Sequence, residues 1–136
     1  MTKETEIETD ALSDEAPIGP VLDAYRDAYN DYDANALAAC FLFPVTLWQF
    51  GKGFVFENAE DLAENIEKVL DAYEEAGVVE THYEVADWVE SGSAASAVID
   101  WDQSDANGET VHVFSCLTVF AEDDRGEMKI TTIVNL

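Results

Sequence analysis

The sequence predicts an α+β fold, with three helices from the N-terminal half packed on one face of an antiparallel sheet formed by the C-terminal half. Three observations predict it. Between residues 17 and 76, apolar side chains recur at helical spacing, interrupted by one short hairpin pattern. After Gly77 the chain is strand and turn only. Finally, residues 111–120, VHVFSCLTVF, are apolar on both faces. Val111, Val113, Ser115, Leu117 and Val119 share one face; His112, Phe114, Cys116, Thr118 and Phe120 share the other. An antiparallel sheet with one wet face alternates apolar and polar residues. Here both faces want cover, one from helices and one from a second subunit.

The elements follow in order. Residues 1–16 carry six acids and one lysine and are expected to be a disordered acidic tail, leaving one domain over residues 17–136. Pro17 or Pro20 opens the first helix at a tolerated early position. Ile18, Val21, Leu22, Tyr25, Ala28, Tyr29 and Tyr32 fall on one helical face, so the tyrosines form a stripe. A buried tyrosine hydroxyl needs a partner, and one of the three is expected to line a cavity. Asp33 caps a short helix over residues 34–41, which Pro44 ends. Residues 45–50 and 54–56 read as strands around the turn Gly51-Lys52-Gly53. Asn58 caps the third helix, whose buried side is Leu62, Ile66, Val69, Leu70 and Tyr73, and Gly77 stops it. Strands at 79–90, 94–102, 111–120 and 127–135, joined by short loops, make an antiparallel meander.

Composition excludes several functions. Thirty acids against six bases give a net charge of −24. Nucleic acid and anionic membrane surfaces are therefore disfavoured partners, since both need a basic patch. The same acidity fits a solvated, salt-adapted surface whose self-repulsion salt would screen. No stretch is apolar and long enough to span a membrane, and the N-terminus lacks the pattern of a secretory signal. Cys40 and Cys116 lie far apart without CxxC spacing and read as reduced, buried residues of a cytoplasmic protein. A phosphate-binding glycine loop, GxSxG and HExxH are all missing, and no cofactor or metal is expected.

Closing the SDANG loop at residues 104–108 symmetrically sets Asp100 across from His112. The neighbouring loops then bring Glu84 beside Asp100 and Asn135 beside His112, a polar row on the face of Phe114 and Cys116. A carboxylate against an imidazole prepares a histidine base. A solvated row at the sheet rim is the alternative. A metal site from His82, His112, Asp100 and Asp102 has no supporting ligand spacing. On the same register Trp101, Ile99, Val111, Val113, Leu117, Val119, Ile130 and Val134 form the opposite face. A patch that apolar predicts a two-fold homodimer.

The order helix, short helix, hairpin, long helix, meander resembles the nuclear transport factor 2-like superfamily, which includes ketosteroid isomerase and the SnoaL-like polyketide cyclases. The phrases that carry the resemblance are YRDAYNDYD at residues 25–33, Phe43-Pro44 at the first strand, the Gly51 hairpin leading to the Asn58 helix, and the closing acidic loop with Gly126. The resemblance implies a cone: a curved sheet with the helices on its concave face and a pocket between the sheet and the first and third helices. It places an oxyanion-hole tyrosine at Tyr25. The base aspartate of ketosteroid isomerases falls near Gln49 and their second acid near Cys116, so both carboxylates are missing. The expected site is therefore Tyr25, His112 and Asp100 as catalytic residues, with Gln49, Phe114, Cys116 and Asn135 touching a small, mostly apolar molecule. Acid–base isomerase, cyclase or hydratase chemistry is one reading. A non-catalytic ligand-binding or interaction module is the other.

Overall fold

The computed structural model describes residues 17–136, and the expected tail over residues 1–16 lies outside them. The elements are α1 (Gly19–Asn30), α2 (Ala34–Ala38), β1 (Phe41–Gln49), β2 (Lys52–Phe56), α3 (Ala59–Glu75), β3 (Glu80–Ser91), β4 (Ala94–Ser104), β5 (Thr110–Glu122) and β6 (Met128–Asn135). The strands form one sheet in the order β2-β1-β6-β5-β4-β3. The strand built on residues 111–120 is thus interior. The three helices cover the concave face, and the fold is the α+β cone expected from the resemblance.

Local chemistry sets the helix ends. Asn58 Oδ1 accepts from Asp61 N at 2.9 Å, and Asp33 accepts from Ala36 N at 3.0 Å. Gly77 ends α3 at φ 86°, where Val78 N donates to Tyr73 O. The end of α1 departs from the expected stripe. The helix stops at Asn30, and Tyr32 sits beyond it at φ 54°, the position glycine usually takes. Its hydroxyl donates to Val78 O at 2.6 Å, which ties this turn to the start of β3. Only Tyr25 and Tyr29 remain on the helix face.

The α2 helix is shorter than expected. It ends at Ala38, and Phe41 opens β1, which runs through the cis Phe43–Pro44 peptide. Burial of Phe41 opposite Ile130, and the bond from Ile130 N to Cys40 O at 2.9 Å, override the helical pattern there. β1 then pairs with β6 in parallel, the one parallel ladder among the described residues, the others being antiparallel. The core lies between helices and sheet, with Ile18, Leu22, Leu37, Leu62, Ile99 and Phe120 fully buried.

The β4–β5 register differs from the symmetric loop closure. The turn is Asp105-Ala106-Asn107-Gly108-Glu109. Asp105 Oδ1 accepts from Asn107 N and Glu109 N, and Gly108 takes φ 80°. Ser104 therefore belongs to the strand, Gln103 pairs with His112, and Asp100 pairs with Ser115. The shift is an odd number of residues, so it turns every β4 side chain to the other face. Ile99, Trp101 and Gln103 point into the cone and are buried, while Asp100 and Asp102 point out and are exposed. Ile130 is likewise in the core, opposite Phe120. The outer apolar face is instead Trp48, Val55, Val98, Val113, Leu117, Val119 and Val134.

Candidate functional site

A cavity of about 1030 Å³ opens between the concave face of the sheet and helices α1 and α3. Its size is that of a small-molecule site. The wall is built from three layers of sequence. α1 supplies Tyr25 and Tyr29, four residues apart on its inner face. α3 supplies Tyr73, on the side that Leu62 and Ile66 bury. The sheet supplies Trp101 and Gln103 from β4, His112, Phe114 and Cys116 from β5, and Asn135 from β6. Phe50 and Leu136 stand exposed at its mouth.

No Asp, Glu, Lys or Arg lines this cavity among the described residues. In a chain of net charge −24, that exclusion is the site's main electrostatic property. Its titratable groups are tyrosines, a thiol and one imidazole.

The aromatic rings run as a continuous row. Tyr25 meets Tyr29 edge-on at 5.0 Å, Tyr29 lies 6.0 Å from Tyr73, and Tyr73 lies 5.7 Å from the His112 ring. The Tyr25 and Tyr29 hydroxyls share a hydrogen bond of 3.3 Å. One proton serves that bond, and the other has no hydrogen-bond partner among the described residues. Burial pushes both hydroxyls well above the usual phenol range. Tyr73 is raised by burial too, against a hydrogen bond from the Gln103 amide that partly lowers it. These groups are therefore protonated donors at neutral pH.

The sheet side carries two polar pairs. His112 Nδ1 lies 3.0 Å from Gln103 Oε1, and Gln103 Nε2 donates to Thr81 Oγ1 at 3.3 Å. Cys116 Sγ donates to Asn135 Oδ1 at 2.9 Å. Burial lifts the Cys116 thiol to about 11, so it is a neutral donor rather than a thiolate.

Most of the residues expected from sequence meet here: Tyr25, His112, Gln49, Phe114, Cys116 and Asn135 all line the cavity. Asp100 does not. It is exposed on the outer face, where Ser115 Oγ donates to its Oδ1 at 2.6 Å, and Gln103 occupies the place beside His112. Glu84 does pair with Asp100, and His82 with Asp102, but this polar row faces outward. Asn135 pairs with Cys116 rather than His112. No cluster of three or more potential metal ligands occurs among the described residues. Gln103, Thr81 and Tyr73 were missed as site residues. Tyr73 was legible as inward-facing on α3; Gln103 needed the register.

A six-stranded cone with helices across its mouth and a tyrosine-lined hollow defines a class, the NTF2-like fold. The chain belongs to that class by sequence as well: residues 14–136 match the family described as NTF2-like protein (DUF6841). No curated protein matches the chain. Solved structures share the fold at low identity. A domain of unknown function with a cystatin-like fold from Nostoc punctiforme superposes with TM-score 0.72 at 19% identity, over 90% of this chain and 76% of that one. An NTF-2 like protein of unknown function from Shewanella oneidensis gives 0.70 at 19%, over 88% and 95%. A ketosteroid isomerase-like protein from Erwinia carotovora atroseptica gives 0.68 at 20%, over 88% and 92%.

Proposed function

We propose that the cavity binds a small, uncharged, mostly apolar molecule carrying a carbonyl or phenolic oxygen, and that it is equipped for proton transfer on that molecule. The uncharged wall carries this reading. Burying an unpaired ionic group against it would cost far more than the contacts return, so charged ligands are disfavoured. The tyrosine pair offers a proton donor to a ligand oxygen. His112 offers a proton acceptor at the other end of the aromatic row. Isomerisation, cyclisation or hydration next to a carbonyl fits these two groups. The carboxylate pair of ketosteroid isomerases is not part of it, since the resemblance puts those carboxylates near Gln49 and Cys116.

Two further elements of the reading concern the protein's surroundings. The outer face exposes Trp48 at 44%, Val55 at 60% and Val113 at 71%, an apolar patch that a second copy of the chain would cover. Two free buried thiols and the acidic surface fit a reducing, cytoplasmic setting. No helix among the described residues is long and apolar enough to cross a membrane.

The test is a titration with two probes of one shape, 2-naphthol and 2-naphthoate, followed by amide and indole NMR signals. Naphthol is expected to shift Trp101 and the inner residues of β5 and to leave Trp48 on the outer face unmoved. Naphthoate should bind at least about tenfold more weakly. Equal binding of the two, or shifts confined to the outer face, would remove the proposal.

A further inference from the structure

Gln103 is fully buried, and its amide has two protons and an acceptor to satisfy there. As placed, one proton goes to Thr81 Oγ1, and Oε1 faces His112 Nδ1. Turning the amide over would set an N–H against His112 Nδ1 and put the imidazole proton on Nε2 instead. The unturned orientation makes Oε1 an acceptor only, so the proton between it and the imidazole has to be on Nδ1. Thr81 is itself held. Its backbone N–H donates to Asn30 Oδ1 at 2.7 Å, and its C=O accepts from Asn30 Nδ2 at 3.3 Å. The other imidazole nitrogen, Nε2, has no hydrogen-bond partner among the described residues. It is not among buried polar atoms left unpartnered, so it is open, and the ring lines the cavity.

We propose that Gln103 is a positioning residue that fixes His112 as its Nδ1–H tautomer, so that the Nε2 lone pair faces the cavity as the acceptor for a ligand proton. An amide here does what a carboxylate does for many histidine bases, with one difference: it orients the ring without adding charge. The chain Asn30–Thr81–Gln103–His112 runs from helix α1 across β3 and β4 to β5, so the tautomer is set by the fold rather than by the ligand. The inference deepens the proposed function and rests on it only for its consequence, that a ligand proton meets Nε2. The tautomer itself exists with the cavity empty.

The chain has two histidines, and His82 is exposed on the outer face, so a His82→Gln background leaves one imidazole to observe. Long-range proton–nitrogen NMR of the full chain, about two pH units above the ordinary imidazole value, reads which nitrogen carries the proton. The expected result is Nδ1–H over Nε2–H by at least about tenfold, the bias that loss of the Gln103–His112 hydrogen bond would impose. Gln103→Leu should cut that ratio at least about tenfold. Thr81→Val frees the amide to turn and should lower the ratio as well, while Thr81→Ser keeps the hydroxyl and should restore it. A proton on Nε2 in the parent protein overturns the proposal. So does a folded Gln103→Leu with the parent ratio. If Gln103→Leu does not fold, the Thr81→Val and Thr81→Ser pair decides: equal ratios in both overturn it. Failure of naphthol to bind would strike the ligand reading and leave this ratio unchanged, so the two are separable.

Discussion

Asn30→Ala is the perturbation that tests most directly how the helices are fastened to the sheet. β3 is the last strand of the sheet, so one of its edges has no strand neighbour among the described residues. At Thr81 that edge is 2% exposed, too covered for solvent to satisfy it. The Asn30 side chain does so instead, with its amide accepting from Thr81 N and donating to Thr81 O as a neighbouring strand would. Truncation to alanine removes both bonds and orphans one N–H and one C=O. Each orphan costs about 1–3 kcal/mol. Asn30 is itself half-buried, so water reaches part of the gap, and we take the lower range, about 2–4 kcal/mol for the pair. With a urea m-value of about 2 kcal/mol/M, the unfolding midpoint should fall by about 1–2 M. The exposed neighbour Asp31 serves as control, because Asp31→Ala should stay within about 0.5 kcal/mol. Urea melts of the three proteins at one salt concentration give the comparison. An Asn30→Ala loss no larger than the control's would refute the reasoning, and would mean that Thr81 finds water or another partner.

Three other outcomes are expected. Burial raises both thiols, Cys40 and Cys116, from the ordinary 9.0 to about 11. Between those values the unfolded chain has released protons that the folded chain keeps, so stability falls as pH rises from 9 towards 11; urea midpoints that stay level across that window would contradict this. With a net charge of −24, the melting temperature should climb as sodium chloride is raised from about 0.01 M to about 1 M, where the screening length drops from about 30 to about 3 Å, and a flat response would remove the self-repulsion argument. Leu117 lies in the middle of the outer apolar face, so Leu117→Glu should turn a dimer into a monomer in sedimentation velocity, and a monomeric parent protein would sink the two-fold contact.

The fold was legible because its signals were periodic. Helix α3 carried a cap, an inner stripe and a glycine stop, and it stands where these put it. Faces on β5 were legible for the same reason, since alternation within one strand needs no partner. What failed was pairing. Symmetric closure of the β4–β5 loop counted Ser104 as loop, whereas the turn begins at Asp105. The chain contained a signal for this: DANGE at 105–109 and DDRGE at 123–127 share the frame Asp-x-x-Gly-Glu. Both fold alike, with the aspartate accepting from two backbone N–H groups and the glycine at positive φ. The β3–β4 pairing of Glu84 with Asp100 came out as symmetric closure gave it. There a bulge between Val85 and Asp87 offsets the one-residue difference at the turn. Nothing local announces that bulge. The short reach of α2 was hidden too, because Phe41 joins the sheet through Ile130, far along the chain.

The misplaced register also changes the chemistry the site can do. With Asp100 beside His112, a protonated imidazole would have had a full negative charge as its companion. With Gln103 there, it has only a dipole. Proton transfer from an uncharged ligand to His112 would then create an ion pair inside a wall that holds no Asp, Glu, Lys or Arg among the described residues. The anion of that pair must be stabilised where it forms, and the tyrosine pair is the donor available for it, at the far end of the row through Tyr73. Neither half works without the other: an acceptor alone leaves an unstabilised anion, and a donor alone moves no proton. The losses caused by Tyr25→Phe and His112→Ala should therefore fail to add in any turnover assay, with the double variant no worse than the poorer single one. Independent, additive losses would mean that the two residues act on different steps, and the neutral cavity would then be a binding site with two unrelated polar contacts.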